Sequence, residues 1–328
     1  MTIIALPAAF VARETPPVDS LIPGGPREIW AERRRGMERR GGSVNPDGHH
    51  GEWQGHAIRG AAHGFGWAMR AIGLYGRGRR NALSPHLVER NFFFPDLPPA
   101  FDGYRILQVS DPHLDWLPEL GGIGRRLLAG VSVDLVAVTG DIHGAPRAPL
   151  ARSTLPLADL LAGPKVRDRI VAVLGNHDPA SMADALEHVG ITTLINESLT
   201  IERGLDRLVL TGLDDVHRFY TPAAKMALEA APPGFRVALV HSAEVADYAA
   251  AAGFALYLCG HTHGGQICLP GGRSLFTRLR RCRFGARGEW RAGAMIGYTS
   301  TGLGVGEVPL RFNCRGEIAV INLRRGAA

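Results

Sequence analysis

From about residue 100 onward, short apolar runs alternate with segments in which apolar residues recur at helical spacing. The runs predict buried strands, and the spaced segments predict helices. The predicted strands are 104–109, 134–139, 169–174, 208–213, 236–240, 255–259, 294–300 and 317–323. The predicted helices are 117–129, 150–162, 181–189, 222–230 and 243–252, with Ser181 as a capping residue. The alternation predicts an α/β fold, and the last two strands, with little helix between them, are expected to be antiparallel additions.

The first 95 residues have a different pattern and are predicted to form an N-terminal extension, followed by a catalytic domain over 96–328. Proline, glycine and the runs Arg33-Arg34-Arg35 and Arg39-Arg40 predict an irregular, partly flexible segment up to Gly55. Over 57–75, apolar residues at helical spacing and several arginines predict an amphipathic helix. This helix either lies on an anionic membrane surface or packs on the domain as an ordinary surface helix.

Polar residues with metal-ligating side chains stand directly after five of the predicted strands. In chain order they are Asp111, His113, Asp141, Asn176, His241, His261 and His263. The spacing of Asp111 with His113, and of the last two histidines, directs both side chains of a pair to one side of an extended segment. Open α/β sheets bind ligands at the carboxyl ends of their strands. Each residue alone has an ordinary alternative, such as a helix cap, a turn or a core histidine, but the set favours a metal site.

Carboxylates, imidazoles and an amide oxygen together suit Mn²⁺, Fe or Zn²⁺. Seven ligands with a central carboxylate fit two ions better than one. Asp141 is the candidate to bridge them at about 3.5–4 Å, as in two-metal phosphoryl-transfer sites. We expect two divalent ions, manganese first, with iron or zinc as alternatives. The candidate ligands all lie after Phe101, so we also expect removal of residues 1–80 to leave the metal site intact.

These motifs, taken with Gly140 before Asp141 and the run Gly175-Asn176-His177-Asp178, resemble the five motifs of the calcineurin-like metallophosphoesterases. The segments 101–106 and 300–304 are similar to the bacterial YkuE/YaeI-type phosphodiesterase branch of that family. The resemblance covers about residues 96–323. It implies a four-layer α/β/β/α sandwich of two mixed sheets, the metallophosphoesterase fold, and a dinuclear metal site.

The resemblance also implies roles for individual residues. Asp111, His113 and His263 are expected to hold one ion, and Asn176, His241 and His261 the other, with Asp141 bridging them beside a metal-bridging hydroxide. His177 is then the catalytic residue that protonates the leaving oxygen. Many family members carry a second aspartate, which orients this histidine, three residues after the bridging one. The chain has Gly144 there. Either Asp178 or a backbone carbonyl then orients His177, or the histidine is less tightly held.

An arginine-rich segment follows the last histidine pair, and its members Arg273 and Arg278 are candidate substrate-binding residues. The segment is either an anion-binding lid with apolar contacts or a solvated loop in an arginine-rich chain, which has a net charge of +6. A lid of this kind suits a phosphorylated, lipid-linked substrate. Nucleic acid ranks lower because the aromatic spacing of a base-stacking platform is absent.

We therefore expect a metal-dependent phosphoesterase, in the first place a phosphodiesterase. The alternatives are a lipid-linked nucleotide pyrophosphatase similar to UDP-2,3-diacylglucosamine hydrolase, and a non-catalytic phosphate-binding scaffold, against which the complete ligand set argues. The four cysteines form no Cys-x-x-Cys pair and no compact framework, which favours a reduced, cytoplasmic setting. Peripheral contact with the inner membrane surface is the variant that the basic helix would allow.

Overall fold

The computed structural model describes residues 27–42, 60, 64–274 and 277–327. The helices are α1 (Arg27–Arg39), α2 (64–71), α3 (Tyr75–Ala82), α4 (Glu119–Leu127), α5 (Ala151–Leu161), α6 (Ser181–His188), α7 (Pro222–Glu229) and α8 (Ala246–Ala251). The strands are β1 (His86–Phe94), β2 (Arg105–Val109), β3 (Ser132–Thr139), β4 (Lys165–Val173), β5 (Thr192–Thr193), β6 (Glu197–Arg203), β7 (Asp206–Gly212), β8 (Phe235–Leu239), β9 (Leu256–Cys259), β10 (Gly288–Ala292), β11 (Met295–Thr299) and β12 (Glu317–Arg325).

The strands form two six-stranded sheets, with the orders β1-β12-β2-β3-β4-β5 and β10-β11-β9-β8-β7-β6. Side chains alternate across each strand, so that Ile106 and Leu135 face the other sheet while Leu107 and Val136 face helices. One apolar cluster fills the space between the sheets, and a cluster on each outer face packs the helices. The structure confirms the predicted four-layer α/β/β/α sandwich of two mixed sheets.

The parallel strands direct the candidate ligands to one edge of the sandwich. β2, β3 and β4 run parallel in the first sheet, and β7, β8 and β9 run parallel in the second. Backbone hydrogen bonds join neighbouring loops within each sheet. The amide of Asp111 donates to the carbonyl of Gly140 (3.0 Å), and the amide of Gly260 donates to the carbonyl of His241 (2.9 Å). Between the sheets, the amide of His261 donates to the carboxylate of Asp111 (3.0 Å). The loops after β2, β3, β4, β8 and β9 therefore meet, as the strand-end pattern predicted.

Two expectations about the N-terminal extension were wrong. The segment that composition predicted to be irregular contains α1, a helix of 13 residues. Strand β1 pairs in parallel with β12 over its whole length, so the first sheet begins at His86 and not after residue 95. Hydrophobic packing and sheet pairing supply structure that the local composition did not indicate.

The helix expected over 57–75 is only partly within the described residues. Residue 60 and residues 64–71 are helical, whereas 57–59 and 61–63 lie outside the described part of the chain. The helix stops in a turn at residues 72–73, where Gly73 has a φ of 75°. Such a φ favours glycine and ends a right-handed helix. The helix is therefore shorter at its C-terminal end than the spacing predicted.

Two smaller predictions also differ from the structure. Ala180 occupies the N-cap position of α6, and no side chain caps that helix, so Ser181 is not its cap. Strand β11 is antiparallel to β10 but parallel to β9, and it is therefore not a simple antiparallel addition. Strand β12 does run antiparallel to β2. Among the described residues, no helix is both long and apolar enough to cross a membrane.

Candidate dinuclear metal centre

The structure brings six of the seven predicted ligands together in two groups of three. Asp111, His113 and His263 form the first group, and Asp141, His241 and His261 form the second. In each group the potential ligand atoms lie within 4.8 Å of one another. Asn176, the seventh predicted ligand, joins the second group, because its Oδ1 lies 3.1 Å from Nε2 of His241.

Asp141 lies between the two groups. Its Oδ2 is 3.6 Å from Nε2 of His113 in the first group and 3.3 Å from Nε2 of His241 in the second. Its Oδ1 accepts a hydrogen bond from the backbone amide of His177 (2.8 Å). One carboxylate is thus held in place by the backbone and faces imidazoles of both groups, which is the geometry that a bridging ligand needs.

The backbone is strained where it presents the ligands. Five of the seven predicted ligands have positive φ angles, namely Asp111 (47°), His113 (38°), Asp141 (52°), His261 (71°) and His263 (50°). Non-glycine residues rarely adopt this conformation, and each instance costs of order 1–3 kcal/mol. The concentration of such residues at one edge of the sandwich indicates that the fold stabilises a particular arrangement of these side chains for a function.

Glycines allow the ligand loops to approach one another. A Cβ at Gly175 would lie 2.2 Å from Oδ1 of Asp141, and a Cβ at Gly260 would lie 2.1 Å from Oδ2 of Asp111. A Cβ at Gly140 would lie 2.7 Å from Nδ1 of His241. Contacts this short exclude any side chain at these three positions. Glycine is therefore needed at these positions because a side chain would collide with a ligand of a neighbouring loop, and not only for the turn geometry that the sequence indicated.

Burial sets the protonation of most of the histidines. Burial lowers the pKa of His113 to about 3, against the raising effect of Asp141. Burial likewise holds the pKa of His261 and His263 well below its usual range, and neighbouring histidines act in the same direction. These three imidazoles are neutral at pH 7, which is the form that binds metal ions.

The carboxylates and His241 titrate differently. Burial raises the pKa of Asp111 to about 6, against the lowering effect of His241. For Asp141, burial also acts to raise the pKa, but the surrounding imidazoles outweigh it and the pKa lies well below its usual range. For His241, burial acts to lower the pKa, but Asp141 and Asp111 outweigh it and raise the pKa well above its usual range. An imidazolium at His241 therefore balances the buried carboxylates in the metal-free protein.

The donor set fits divalent cations. Among the described residues, His113 Nε2, His261 Nε2 and His263 Nδ1 are buried ring nitrogens without a hydrogen-bond partner. Buried polar atoms without a partner are costly and rare in native structures. A bound cation would accept the lone pair of each of these ring nitrogens. It would also neutralise the two buried aspartates, Asp111 and Asp141. Carboxylate, imidazole and amide groups in this mixture suit Mn²⁺, Fe and Zn²⁺.

His177 lies beside these groups. Its ring is 5.2 Å from the ring of His113, in an edge-on arrangement. Its Nδ1 lies 3.3 Å from the carbonyl oxygen of Gly144, which leaves Nε2 available toward a substrate. Asp178 accepts instead from the amides of Gly175 and His143, at 2.9 Å each. Of the two groups that the sequence left open for orienting His177, the backbone carbonyl is the one in contact with the ring.

Two residues that were not predicted from the sequence support this arrangement. The buried carboxylate of Asp115 accepts hydrogen bonds from the amides of Gly144 and Ala145, at 2.8 Å each, and fixes the loop that carries the acceptor of His177. The indole of Trp116 stacks on His113 with a centroid distance of 4.9 Å and an interplanar angle of 16°. Asp115 continues the alternation of Asp111 and His113, so the spacing could have indicated it.

Two further side chains support the histidines that follow β9. The ring of His217 lies 4.1 Å from that of His261, and its Nδ1 is 3.1 Å from the buried carboxylate of Glu244. Arg311 is fully buried and donates to several carbonyl oxygens, among them Gly304 (2.6 Å) and His263 (3.3 Å). No local sequence signal marks either residue, because their partners are distant in the chain.

The two candidate substrate-binding arginines differ in position. Both are exposed. Burial is the main cause of the lowered pKa of His261 and His263, and the positive charge of Arg278 adds a smaller contribution in the same direction. The backbone of Arg273 closes a turn with Leu269 (3.0 Å). In the described part of the chain, no contact joins the side chain of Arg273 to the cluster.

Comparison with known proteins places this site in a family. A model of the calcineurin-like phosphoesterases matches residues 104–265, from just before β2 to two residues after His263. Over this range, which contains all seven predicted ligands, the chain resembles the calcineurin-like phosphoesterase family. The family match and the two ligand groups together identify a metal-dependent enzyme that hydrolyses phosphoric ester bonds.

Two related proteins are similar over most of their length. The chain is 29% identical to an uncharacterized metallophosphoesterase, YkuE, of Bacillus subtilis, over 78% of this chain and 92% of that protein. It is 28% identical to phosphodiesterase YaeI of Escherichia coli, over 67% of this chain and 82% of that protein. The resemblance predicted from the motifs is confirmed.

Solved structures give weaker matches. The sulfate thiohydrolase SoxB of Thermus thermophilus is 13% identical with a TM-score of 0.42, over 70% of this chain and 58% of that one. A 5'-nucleotidase precursor from Thermus thermophilus is 14% identical with a TM-score of 0.40, over 67% of this chain and 54% of that one. Less than two thirds of either structure is covered, and at these scores the likeness carries no conclusion about activity.

Proposed function

We propose that the protein is a dinuclear-metal phosphodiesterase in which Asp141 bridges the ions. The observation that carries this proposal is the position of Asp141, whose carboxylate faces one imidazole of each ligand group at 3.3 and 3.6 Å. Asp111, His113 and His263 hold one ion, and Asn176, His241 and His261 hold the other. Manganese is the ion we expect first, with iron or zinc as alternatives, because mixed carboxylate, amide and imidazole donors suit all three.

Two bound ions supply an activated water as the nucleophile and neutralise charge on the phosphoryl oxygens. The protein supplies the remaining chemistry. The ring of His177 accepts or donates its proton at Nε2, since Nδ1 is turned to the carbonyl of Gly144. In this position it protonates the leaving oxygen. The guanidinium of Arg278 binds the phosphoryl group, which its exposure and its place in the arginine-rich segment after His263 support.

Hydrolysis of bis-p-nitrophenyl phosphate by the metal-free protein, with and without added Mn²⁺, tests the proposal. We expect turnover only with the metal, and faster turnover of this diester than of the monoester p-nitrophenyl phosphate. The name of the relative YaeI supports the choice of a diester. A faster monoester reaction would refute the diester preference. Binding of Mn²⁺ without turnover of either ester would favour a non-catalytic phosphate-binding scaffold.

A lipid-linked substrate is the second candidate, and the surface beside the site favours it. Helices α2 and α3 pack on the segment 306–312. The amide of Arg311 donates to the carbonyl of Gly78 (3.0 Å), and the same segment reaches Gln266, three residues after His263. Outward, α2 exposes Trp67 (74%), and the turn after it exposes Ile72 (60%). Apolar and aromatic side chains so exposed near a catalytic site are typical of contact with lipid.

Basic residues accompany this apolar surface. Arg70, Arg77 and Arg80 are exposed on the same two helices, and each could contribute about 1 kcal/mol near an anionic bilayer. We therefore propose peripheral contact with an anionic membrane from the cytoplasmic side. The substrate would then be lipid-linked, as for a lipid-linked nucleotide pyrophosphatase similar to UDP-2,3-diacylglucosamine hydrolase.

Co-sedimentation with vesicles tests this second candidate. We expect binding to vesicles of anionic phosphatidylglycerol and not to vesicles of phosphatidylcholine, with a loss of binding at high salt because the attraction is screened within about 8–10 Å. Trp67→Ala should weaken binding, whereas Leu155→Ala, at an exposed apolar residue on α5 (54%), should not. Equal binding by both variants, or no binding of the wild type at low salt, would refute the membrane contact.

A further inference from the structure

Helix α1 carries three consecutive arginines, and only the middle one is buried. Arg34 is fully buried, at 0% exposure, whereas Arg33 and Arg35 are exposed. A buried guanidinium destabilises a fold unless its donors are paired. The partners of Arg34 therefore show what this side chain does in the folded protein.

Arg34 joins two loops of the active-site edge. It forms an ion pair with Asp214, in the loop after β7. Its Nη2 donates to the carbonyl oxygens of Gly175 (3.1 Å) and Asp178 (2.9 Å), in the turn after β4. The ring of Phe219 lies 3.7 Å from its guanidinium carbon. A single side chain from α1 thus ties the two sheets together at their ligand-bearing edge.

The two carbonyls that Arg34 binds flank Asn176 and His177. On the inner side of the same turn, the carboxylate of Asp178 accepts from the amide of Gly175 (2.9 Å), and Asp141 accepts from the amide of His177 (2.8 Å). Arg34 occupies the outer side. The turn is therefore held from both sides, and its outer half depends on a residue that is 141 positions away from Gly175 in the chain.

Other residues of α1 fix the helix on the domain. The indole of Trp30 donates to the carboxylate of Asp214 (2.8 Å). Glu38 accepts from the amide of Ala180 (2.7 Å), just after the turn. Arg27 donates to the carbonyl of Thr193 (3.1 Å) and forms an ion pair with Glu187. These contacts lie along the whole helix. Helix α1 is therefore fixed on the domain, and this fixes the position of Arg34.

We propose that Arg34 is a positioning residue of the active site, and that α1 is part of the catalytic unit. Arg34 fixes the turn that carries Asn176 and His177, so that the amide oxygen and the imidazole keep their direction toward the metal centre. The inference rests on the roles proposed above for Asn176 and His177. It reverses the expectation that removal of residues 1–80 leaves the metal site intact.

The test compares Arg34→Met and Arg34→Lys with the matched controls Arg33→Met and Arg35→Met in the full chain. Hydrogen exchange of the amides of residues 175–178 is measured first, in the metal-free protein, because it reports the turn without any hydrolysis. Mn²⁺ affinity and the separate kcat and KM for bis-p-nitrophenyl phosphate follow. Arg34→Met should speed exchange in the turn at least tenfold, weaken one of the two Mn²⁺ sites about tenfold, and lower kcat at saturating Mn²⁺.

Arg34→Lys keeps a positive charge beside Asp214 but loses the planar fork, so it should fall between the wild type and Arg34→Met. Both control variants should match the wild type. A merely structural role would lower the melting temperature while turn exchange, Mn²⁺ affinity and kcat stayed at wild-type values below it, and this result would overturn the proposal.

If Arg34→Met does not fold, turn exchange, Mn²⁺ affinity and kcat are measured in Arg34→Lys and Asp214→Asn instead. Wild-type values in both variants would overturn the proposal. Failure of the wild type to hydrolyse any ester would refute the proposed function. The exchange and Mn²⁺ measurements would still decide whether Arg34 holds the turn.

Discussion

Substitution of Gly144 by alanine should disturb the catalytic site through a single methyl group. A Cβ at Gly144 would lie 2.5 Å from Cε2 of Trp116 and 2.7 Å from its Cδ2. Carbon atoms in favourable contact are roughly 3.5–4.0 Å apart, so the indole must move by about 1 Å. The ring of His113 is stacked on that indole, so the displacement reaches a predicted metal ligand and the carbonyl that orients His177.

The magnitude follows from the packing. Overpacking of this kind costs about 1–3 kcal/mol, which corresponds to a fall in melting temperature of roughly 1.5–5 °C for a chain of this size. A misplacement of about 1 Å in a catalytic group can cost up to about 100-fold in rate. We therefore expect Gly144→Ala to lower kcat/KM for bis-p-nitrophenyl phosphate by roughly 10–100-fold.

The assay combines thermal unfolding with steady-state kinetics at saturating Mn²⁺. Gly76→Ala is the matched control, because its Cβ would meet only the flexible end of Arg80 at 3.5 Å in helix α3. It should be neutral or stabilise the protein by about 0.5–1 kcal/mol. Adding Trp116→Leu to Gly144→Ala should recover part of the lost activity. Wild-type kinetics and stability of Gly144→Ala would refute the close contact and the reasoning built on it.

Three further predictions concern the proposed roles of individual residues. His177→Ala should keep both ions but slow turnover by roughly 10²–10⁴-fold, or about 2.7–5.5 kcal/mol, less so for esters with good leaving groups; loss of metal would instead make His177 a ligand. The raised pKa of His241, where the attraction of Asp141 outweighs burial, means that metal must displace a proton. Mn²⁺ affinity measured by calorimetry should therefore rise with pH through the neutral range, by up to about tenfold per unit, and a pH-independent affinity would contradict this. Arg278→Ala should raise KM by roughly tenfold or more with little change in kcat, whereas Arg273→Ala should leave both unchanged; equal effects of the two would remove Arg278 from substrate binding.

The raised pKa of His241 also predicts how the free energy of unfolding changes with pH. The pKa of His241 in the metal-free folded protein lies above its unfolded value of about 6.5. Its contribution to the free energy of unfolding is therefore fully present below about pH 6.5 and is lost as the pH rises through the raised folded value. Bound metal removes this dependence, because the ligand form of the imidazole is neutral at all pH values where the ion stays bound.

The strands and the candidate ligands of the catalytic domain could be predicted from the sequence, because each is marked by residues that are close together in the chain. Strands such as β3 and β8 contain continuous apolar runs, residues 135–138 and 237–239, as expected for parallel strands buried on both faces. The ligands follow these runs directly. Where the fold places strand ends side by side, as at Asp111 and His261, local spacing and topology together were enough to predict the cluster.

The parts that the sequence did not reveal depend on contacts between distant residues. The segment of helix α1 was predicted to be irregular because of its arginine runs and the proline and glycine around them, and only its docking shows that Arg34 faces inward. Strand β1 is defined by pairing with β12 across most of the chain. The acceptor of His177 is a backbone carbonyl, at Gly144, and no side-chain pattern can indicate a carbonyl.

The central claim is that one carboxylate, Asp141, is shared by two ions, and electron paramagnetic resonance of the Mn²⁺-loaded protein tests it most directly. We predict two Mn²⁺ per chain by metal analysis, with the spectrum of an exchange-coupled pair, since bridged ions lie about 3.5–4 Å apart. Asp141→Ala should lose both ions and the coupled signal together. Asp159→Ala, at an exposed carboxylate of α5, should keep both. One ion in the wild type, two uncoupled ions, or a coupled pair that survives in Asp141→Ala would contradict the account.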